Sequence, residues 1–154
     1  MNYFFYTFGD IKLTLIANEN FLLQIKFGHN LVEGKHSKNN IISTLSAQLD
    51  QYFSGNRKEF SIPYLLTETP FRNTVYNELI KIKYSTTVSY KQLAISINNP
   101  KACRAVGNAN NHNPLPIIIP CHRVIGSNGN LVGYAGGLHI KKFLLDLEKK
   151  STLY

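Results

Sequence analysis

The chain of 154 residues predicts an α+β fold, on two observations. Short β-rich runs separated by turn residues open the sequence, and helical periodicity with sharp punctuation takes over after about residue 40. The β-rich runs are residues 2–8, 11–17 and 21–27, parted by Gly9-Asp10 and Asn18-Glu19-Asn20, which predicts an antiparallel meander. Ile42, Leu45, Leu49 and Tyr52-Phe53 then recur at helical spacing over about 40–54, with Gly55 as a stop signal. Residues 55–68 carry no such pattern and read as a connector, so we expect one domain over 1–68 and a second over 69–154.

The second half is more strongly marked. Thr69-Pro70 suits an N-cap followed by proline in the first turn, and Phe71, Val75 and Leu79 line one face of a helix to about Lys83. Ser89 and Gln92 have the spacing of a capping box, which starts a short helix ending near Asn98. Asn99-Pro100 starts another, to about Asn110, and the pair forms a helix-turn-helix pattern. In that second helix Ala102, Ala105, Val106 and Ala109 form a small apolar stripe, and Lys101, Arg104, Asn108 and Asn111 a polar one. Small residues beside a basic stripe suit a helix that lies in a nucleic-acid groove, although a plain solvated face has the same pattern. Gly126–Asn130 reads as a turn and Gly133–Gly137 as a glycine-rich loop. The last helix is expected over about 139–150, with Ile140, Phe143, Leu144 and Leu147 inward. Glu148 lies one turn after Leu144, bordering that face; a solvated glutamate beside Lys149 and Lys150 fits the periodicity equally well.

Charge separates the halves. Residues 1–69 hold six Lys/Arg and six Asp/Glu, whereas 70–154 hold eleven against three, so the whole net charge of +8 lies in the second half. A polyanion such as nucleic acid is one partner that fits; a generally basic surface is the other reading. No apolar run approaches the ~18 residues of a membrane span, and the N-terminus lacks the basic region and cleavage site of a signal peptide. Two cysteines, Cys103 and Cys121, without an export signal point to free thiols in a cytoplasmic, reducing setting. His29, His36, His112 and His139 are scattered and make no metal-ligand pattern, and no cofactor is expected.

The chemistry concentrates at Pro120-Cys121-His122-Arg123-Val124. A thiol is a strong nucleophile as thiolate, and a nearby imidazole can take its proton. That alone is compatible with many reactions, a cysteine hydrolase among them.

The second half as a whole resembles the O6-alkylguanine-DNA alkyltransferase (methylated-DNA–protein-cysteine methyltransferase) family. The resemblance rests on Thr69-Pro70-Phe71, Ser89-Tyr90, Asn99-Pro100-Lys101-Ala102, Arg104-Ala105-Val106-Gly107, Asn113-Pro114-Leu115-Pro116, Ile119 through Gly126, and Tyr134-Ala135-Gly136-Gly137-Leu138, in that order. It implies a ribonuclease-H-like sheet with a helix in the first half and a winged-helix-like, helix-turn-helix domain in the second. It implies that Cys121 accepts an alkyl group from guanine O6, irreversibly and once per molecule, in a methylated-DNA–[protein]-cysteine S-methyltransferase reaction. His122 would deprotonate Cys121 through a bridging water, Glu148 would orient His122, Tyr90 would donate a hydrogen bond or proton to the base, and Asn113 would brace the backbone at Cys121. Arg104 would replace the flipped-out nucleotide, with Ala102, Cys103, Ala105, Gly107, Tyr90 and Arg123 also at the DNA. Pro116, Val124, Tyr134, Ala135 and Gly136 would line the pocket. The implied partner of a monomeric protein is double-stranded DNA with O6-alkylguanine, and O4-alkylthymine as a further candidate. A non-catalytic reader of damaged DNA is the alternative within the same family, in which another residue replaces the acceptor cysteine.

Overall fold

The computed structural model describes residues 1–152. The chain separates into two compact units, Met1–Leu66 and Thr67–Tyr154.

In the first unit β1 (Asn2–Phe8), β2 (Ile11–Ala17) and β3 (Leu22–Phe27) form the expected antiparallel meander, with Phe4 opposite Leu15 and Leu15 opposite Ile25. Gly9 takes φ +56°, the left-handed conformation a two-residue hairpin loop demands. A fourth strand, β4 (Lys35–His36), runs parallel to the start of β1, giving the order β3-β2-β1-β4. Two residues carry no alternation, so the sequence does not announce this strand.

Helix α1 (Asn40–Phe53) covers the sheet with Ile42, Leu45, Leu49 and Tyr52, all fully buried. Asn39 caps it by accepting the Ile42 amide at 3.0 Å, and Tyr6 of β1 donates to Asp50 at 2.7 Å. The connector after α1 is pinned. Gln48 exchanges two hydrogen bonds with the Ser61 backbone, and Leu22 bonds Pro63 and Leu65.

In the second unit Thr69 caps α2 (Pro70–Leu79) by accepting from the Arg72 amide at 3.2 Å. The helix stops four residues short of the expected Lys83. The chain tightens there into i→i−3 bonds, Lys81 to Glu78 and Ile82 to Leu79, and leaves the helical path at Ser85, φ +63°. Val75, Tyr76 and Leu79 form its buried face, and Tyr76 donates to the Ala109 carbonyl at 2.8 Å.

The capping box at Ser89 and Gln92 is formed in both directions and starts α3 (Tyr90–Ser96). Helix α4 runs from Cys103 to Asn111, later than Asn99-Pro100 suggests, because residues 99–102 form a turn closed by Ala102 on Asn99. Ala105, expected to pack, is exposed, and Asn110 takes an inward position with Val106 and Ala109. Strand β5 (Val88–Ser89), just before α3, pairs in parallel with β6 (Val124–Ile125), which directly follows the nucleophile segment. Helix α5 (Leu138–Thr152) buries Lys141, Leu144 and Glu148, while Phe143, expected inward, is 41% exposed. An α-helix brings i, i+3 and i+7 to one face, and here two of those three positions are charged.

Candidate active site

Cys121 sits at the start of a single turn of 3-10 helix, Cys121–Arg123, and is 3% exposed. The backbone before it is held in an unusual shape. Ile117, a β-branched residue, has φ +75°, a conformation that costs on the order of 1–3 kcal/mol and persists only where the surroundings enforce it. Pro120, at φ −78° and ψ 62°, makes an inverse γ-turn in which the Cys121 amide bonds the Ile119 carbonyl at 2.7 Å. Asn113 is the enforcing side chain. Its amide donates to that same Ile119 carbonyl at 2.8 Å, and its oxygen accepts from the Leu115 amide at 2.9 Å. Asn110, which the sequence did not single out, donates to the Cys121 carbonyl at 3.2 Å from a buried position on α4.

Behind the nucleophile lies a buried charge network. His122 is fully buried and donates from Nε2 to Glu148 Oε2 at 2.7 Å. Glu148, 1% exposed, also accepts from Arg123 Nε at 2.8 Å, Arg123 Nη2 at 3.0 Å and the Ser85 amide at 3.1 Å. Arg123 completes its fork by donating from Nη1 to the Ile82 carbonyl at 2.7 Å. Its guanidinium lies 5.6 Å from the Tyr84 ring centre. Arg123 was expected among the DNA contacts; it is instead buried, where a buried carboxylate and the Ile82 carbonyl, past the end of α2, both take a donor from it. A bidentate guanidinium meets both at once.

These neighbours set the protonation states. Burial raises the Glu148 carboxyl, but His122 and Arg123 outweigh it and hold the group well below the usual carboxylate range. Burial lowers His122, and Glu148 offsets this only in part because Arg123 opposes it. The stable arrangement is therefore an ionised Glu148 shared between a neutral His122 imidazole and the Arg123 guanidinium. With Nε2 donating to Glu148, the lone pair resides on Nδ1, which has no hydrogen-bond partner among the described residues. Burial pushes the Cys121 thiol up, and hydrogen bonds from Asn113 and Tyr134 with the charge of Lys141 pull the other way.

Both halves of the chain match the same family. Its ribonuclease-like domain aligns with residues 1–66, and its DNA binding domain with residues 70–150. The chain belongs to the 6-O-methylguanine DNA methyltransferase family. A methylated-DNA–protein-cysteine methyltransferase of Methanosarcina acetivorans is 54% identical over 103 residues, 67% of this chain and 66% of that protein's length. The constitutive enzyme of that name from Bacillus subtilis is 46% identical over 118 residues, 76% of this chain and 72% of the relative. Among solved structures, Mycobacterium tuberculosis OGT in complex with DNA superposes with a TM-score of 0.91 at 38% identity, covering 98% of this chain and 94% of that one. An O6-methylguanine DNA methyltransferase from Methanococcus jannaschii gives 0.72 at 28% identity, covering 94% and 92%.

Other residues that the methyltransferase family pattern singles out occupy varied surroundings. Arg104 is exposed and makes no hydrogen bond or ion pair among the described residues, and Ala105 and Asn108 are exposed on the same helix. Ala102 and Cys103 are partly exposed at its start, where the Cys103 thiol leans on the Pro100 carbonyl at 3.9 Å. Both cysteines are free thiols. Gly107 faces Tyr90, and a methyl there would lie 3.9 Å from the ring, ordinary contact. Tyr90 donates from its hydroxyl to the Val132 carbonyl at 3.0 Å. Pro116 and Val124 are buried, Tyr134 and Gly136 partly so, and Ala135 is exposed. Lys141, absent from the expected set, is fully buried beside the glycine-rich loop.

Proposed function

We propose that the protein repairs alkylated DNA directly, taking the alkyl group of O6-alkylguanine onto Cys121 in a single irreversible event. The observation that carries this reading is a nucleophile followed by a buried base of defined tautomer: Cys121, then His122 fixed through Nε2 on Glu148, with Nδ1 left to accept a proton. The thiol proton passes to His122 through a water, and the sulfur lone pair attacks the alkyl carbon as the carbon–oxygen bond breaks. The bonding pair leaves with the guanine oxygen, and Tyr90 supplies a hydrogen bond or proton to the ring that takes the charge. The imidazolium that forms is stabilised by Glu148, the role an acid plays in a hydrolase triad. The resting pair is neutral thiol and neutral imidazole, so the proton moves when substrate arrives rather than beforehand. A thioether does not hydrolyse readily, hence one turnover.

Recognition falls to the stretch 69–154. Helix α4 enters the minor groove with Ala102, Cys103, Ala105 and Gly107 towards the DNA, and the unengaged Arg104 fills the place of the flipped base. Flipping costs a few kcal/mol, least for a poorly paired base. Pro116, Val124, Tyr134, Ala135 and Gly136 form the pocket. All the reacting groups lie on one chain, which supports action as a monomer, and two free thiols suit a cytoplasmic setting. O4-alkylthymine offers the same alkoxy carbon and is the second substrate to try.

Incubation with O6-methylguanine duplex DNA should add the mass of one methyl group to the intact protein, located on Cys121, and Cys121→Ala should abolish it. An unchanged mass with retained binding to damaged DNA would identify a non-catalytic reader instead. Steady ester or amide turnover blocked by Cys121→Ala would point to a hydrolase.

A further inference from the structure

Lys141 is 0% exposed, yet no carboxylate pairs with it among the described residues. A buried ammonium without a counter-charge is costly, so its surroundings must repay it in another way. Burial lowers its pKa to about 8, while the neighbouring Cys121 favours its charged form. The hydrogen bonds it makes are directed at one place: Nζ donates to the Val132 carbonyl at 3.1 Å and to the Gly133 carbonyl at 3.4 Å. The first of these carbonyls is also the acceptor of the Tyr90 hydroxyl, at 3.0 Å. The ammonium further stands 5.7 Å from the centre of the Tyr90 ring, in cation–π range. Gly133 (φ +54°) is in turn wedged against α4, where a Cβ would come within 3.3 Å of Asn111.

We propose that Lys141 is a positioning residue for the transfer, holding the Val132–Gly133 carbonyls so that Tyr90 and the pocket loop are set for the incoming base. Tyr90 has one hydroxyl proton, and Val132 O holds it in the free protein. When the base enters, that proton turns to the substrate, and Val132 O keeps its second donor, Lys141, so the loop stays in place. Without Lys141 that carbonyl would give up its protein donor in the switch, and the loop would lose its anchor. Lysine suits the task because its three protons reach two carbonyls and the ring face from one point. The catalytic consequence rests on the alkyl-transfer reading, whereas the loop contact does not.

The test compares Lys141→Met, Lys141→Arg, Tyr90→Phe and the double variant Tyr90→Phe/Lys141→Met in single-turnover reaction with free O6-benzylguanine. Lys141→Met should slow transfer about tenfold, the equivalent of one lost contact of about 1.4 kcal/mol. Lys141→Arg should recover most of that loss. The double variant should be little slower than the slower single, because Lys141 acts through Tyr90 and the loop. Multiplicative losses in the double variant, or a Lys141→Met rate equal to wild type, would overturn the assignment. Hydrogen exchange of residues 131–137 is read on the same proteins. It should rise in Lys141→Met and fall back in Lys141→Arg even if no alkyl transfer is found, which separates failure of this proposal from failure of the functional reading. Should Lys141→Met not fold, Tyr90→Phe alone suffices: loss of the shared hydroxyl must displace the Lys141 ammonium resonance, and an unmoved resonance refutes the shared acceptor.

Discussion

Replacing Arg123 by Met isolates what the buried guanidinium does for the acid–base pair. Arg123 makes two charge-assisted hydrogen bonds to Glu148 and one to the Ile82 carbonyl from a site that is 7% exposed. Met preserves much of the volume but removes the guanidinium, while His122 and the Ser85 amide still donate to Glu148. Removing one partner of a buried ion pair typically costs about 3–5 kcal/mol. Because Glu148 keeps two donors, the lower end applies, about 3 kcal/mol, or a fall in Tm of roughly 6–12 °C for a chain of this size. The second effect is electrostatic. Arg123 opposes protonation of His122, so its loss raises the imidazole pKa and makes His122 the counter-ion of Glu148. A histidine protonated at rest cannot take the thiol proton, so the acid limb of the transfer rate must move to higher pH. The sign of the stability change follows. A histidine with a raised folded-state pKa adds stability below that pKa and loses it as pH climbs through it, so the deficit of the variant should shrink on mild acidification. Thermal unfolding and single-turnover rates across pH 5 to 9 measure both. A variant that melts within about 2 °C of wild type and has a superimposable pH–rate profile would refute the network as described.

Three further outcomes are expected. Asn113→Ala should cost about 1–3 kcal/mol and slow transfer, since the strained turn at Ile117 loses its brace, and differential scanning calorimetry with a rate measurement tests both. Wild-type stability should fall as pH drops below about 6.5 and again below about 4.3: His122 and Glu148 both have lowered pKa values, so the unfolded chain takes up protons that the folded one refuses, and urea melts across that range should show a stable plateau only above it. Arg104→Ala should leave reaction with free O6-benzylguanine nearly intact while slowing repair in duplex DNA, and equal losses on both would remove Arg104 from the flipping step.

Much of this could be read from the chain because it is written locally. The hairpin glycine at 9, the cap at Thr69 and the reciprocal box at Ser89 and Gln92 act within a few residues, and each formed where its spacing said. Cys121 and His122 were visible as neighbours. The family resemblance places Arg123 at the DNA, and nothing within a few residues of it says otherwise. Its real partners, Glu148 and the Ile82 carbonyl, lie 25 and 41 residues away. Lys141 is likewise not marked by its local sequence. Periodicity assigned the inward face of α5 to apolar residues, and only the carbonyls of a distant loop explain why a lysine is buried there. Strand β4 and Asn110 likewise depend on partners that no window of sequence contains.

The Ile119 carbonyl takes two donors, the amide of Cys121 and the side chain of Asn113 six residues earlier. Those six residues therefore act as a ruler. The span between brace and nucleophile can change in composition, provided each new side chain fits its place, but it cannot change in length. One residue inserted or removed between 113 and 119 would displace Cys121 relative to the Asn113 brace while leaving every functional group in the chain. Libraries that vary this segment should tolerate substitution and reject every insertion and deletion.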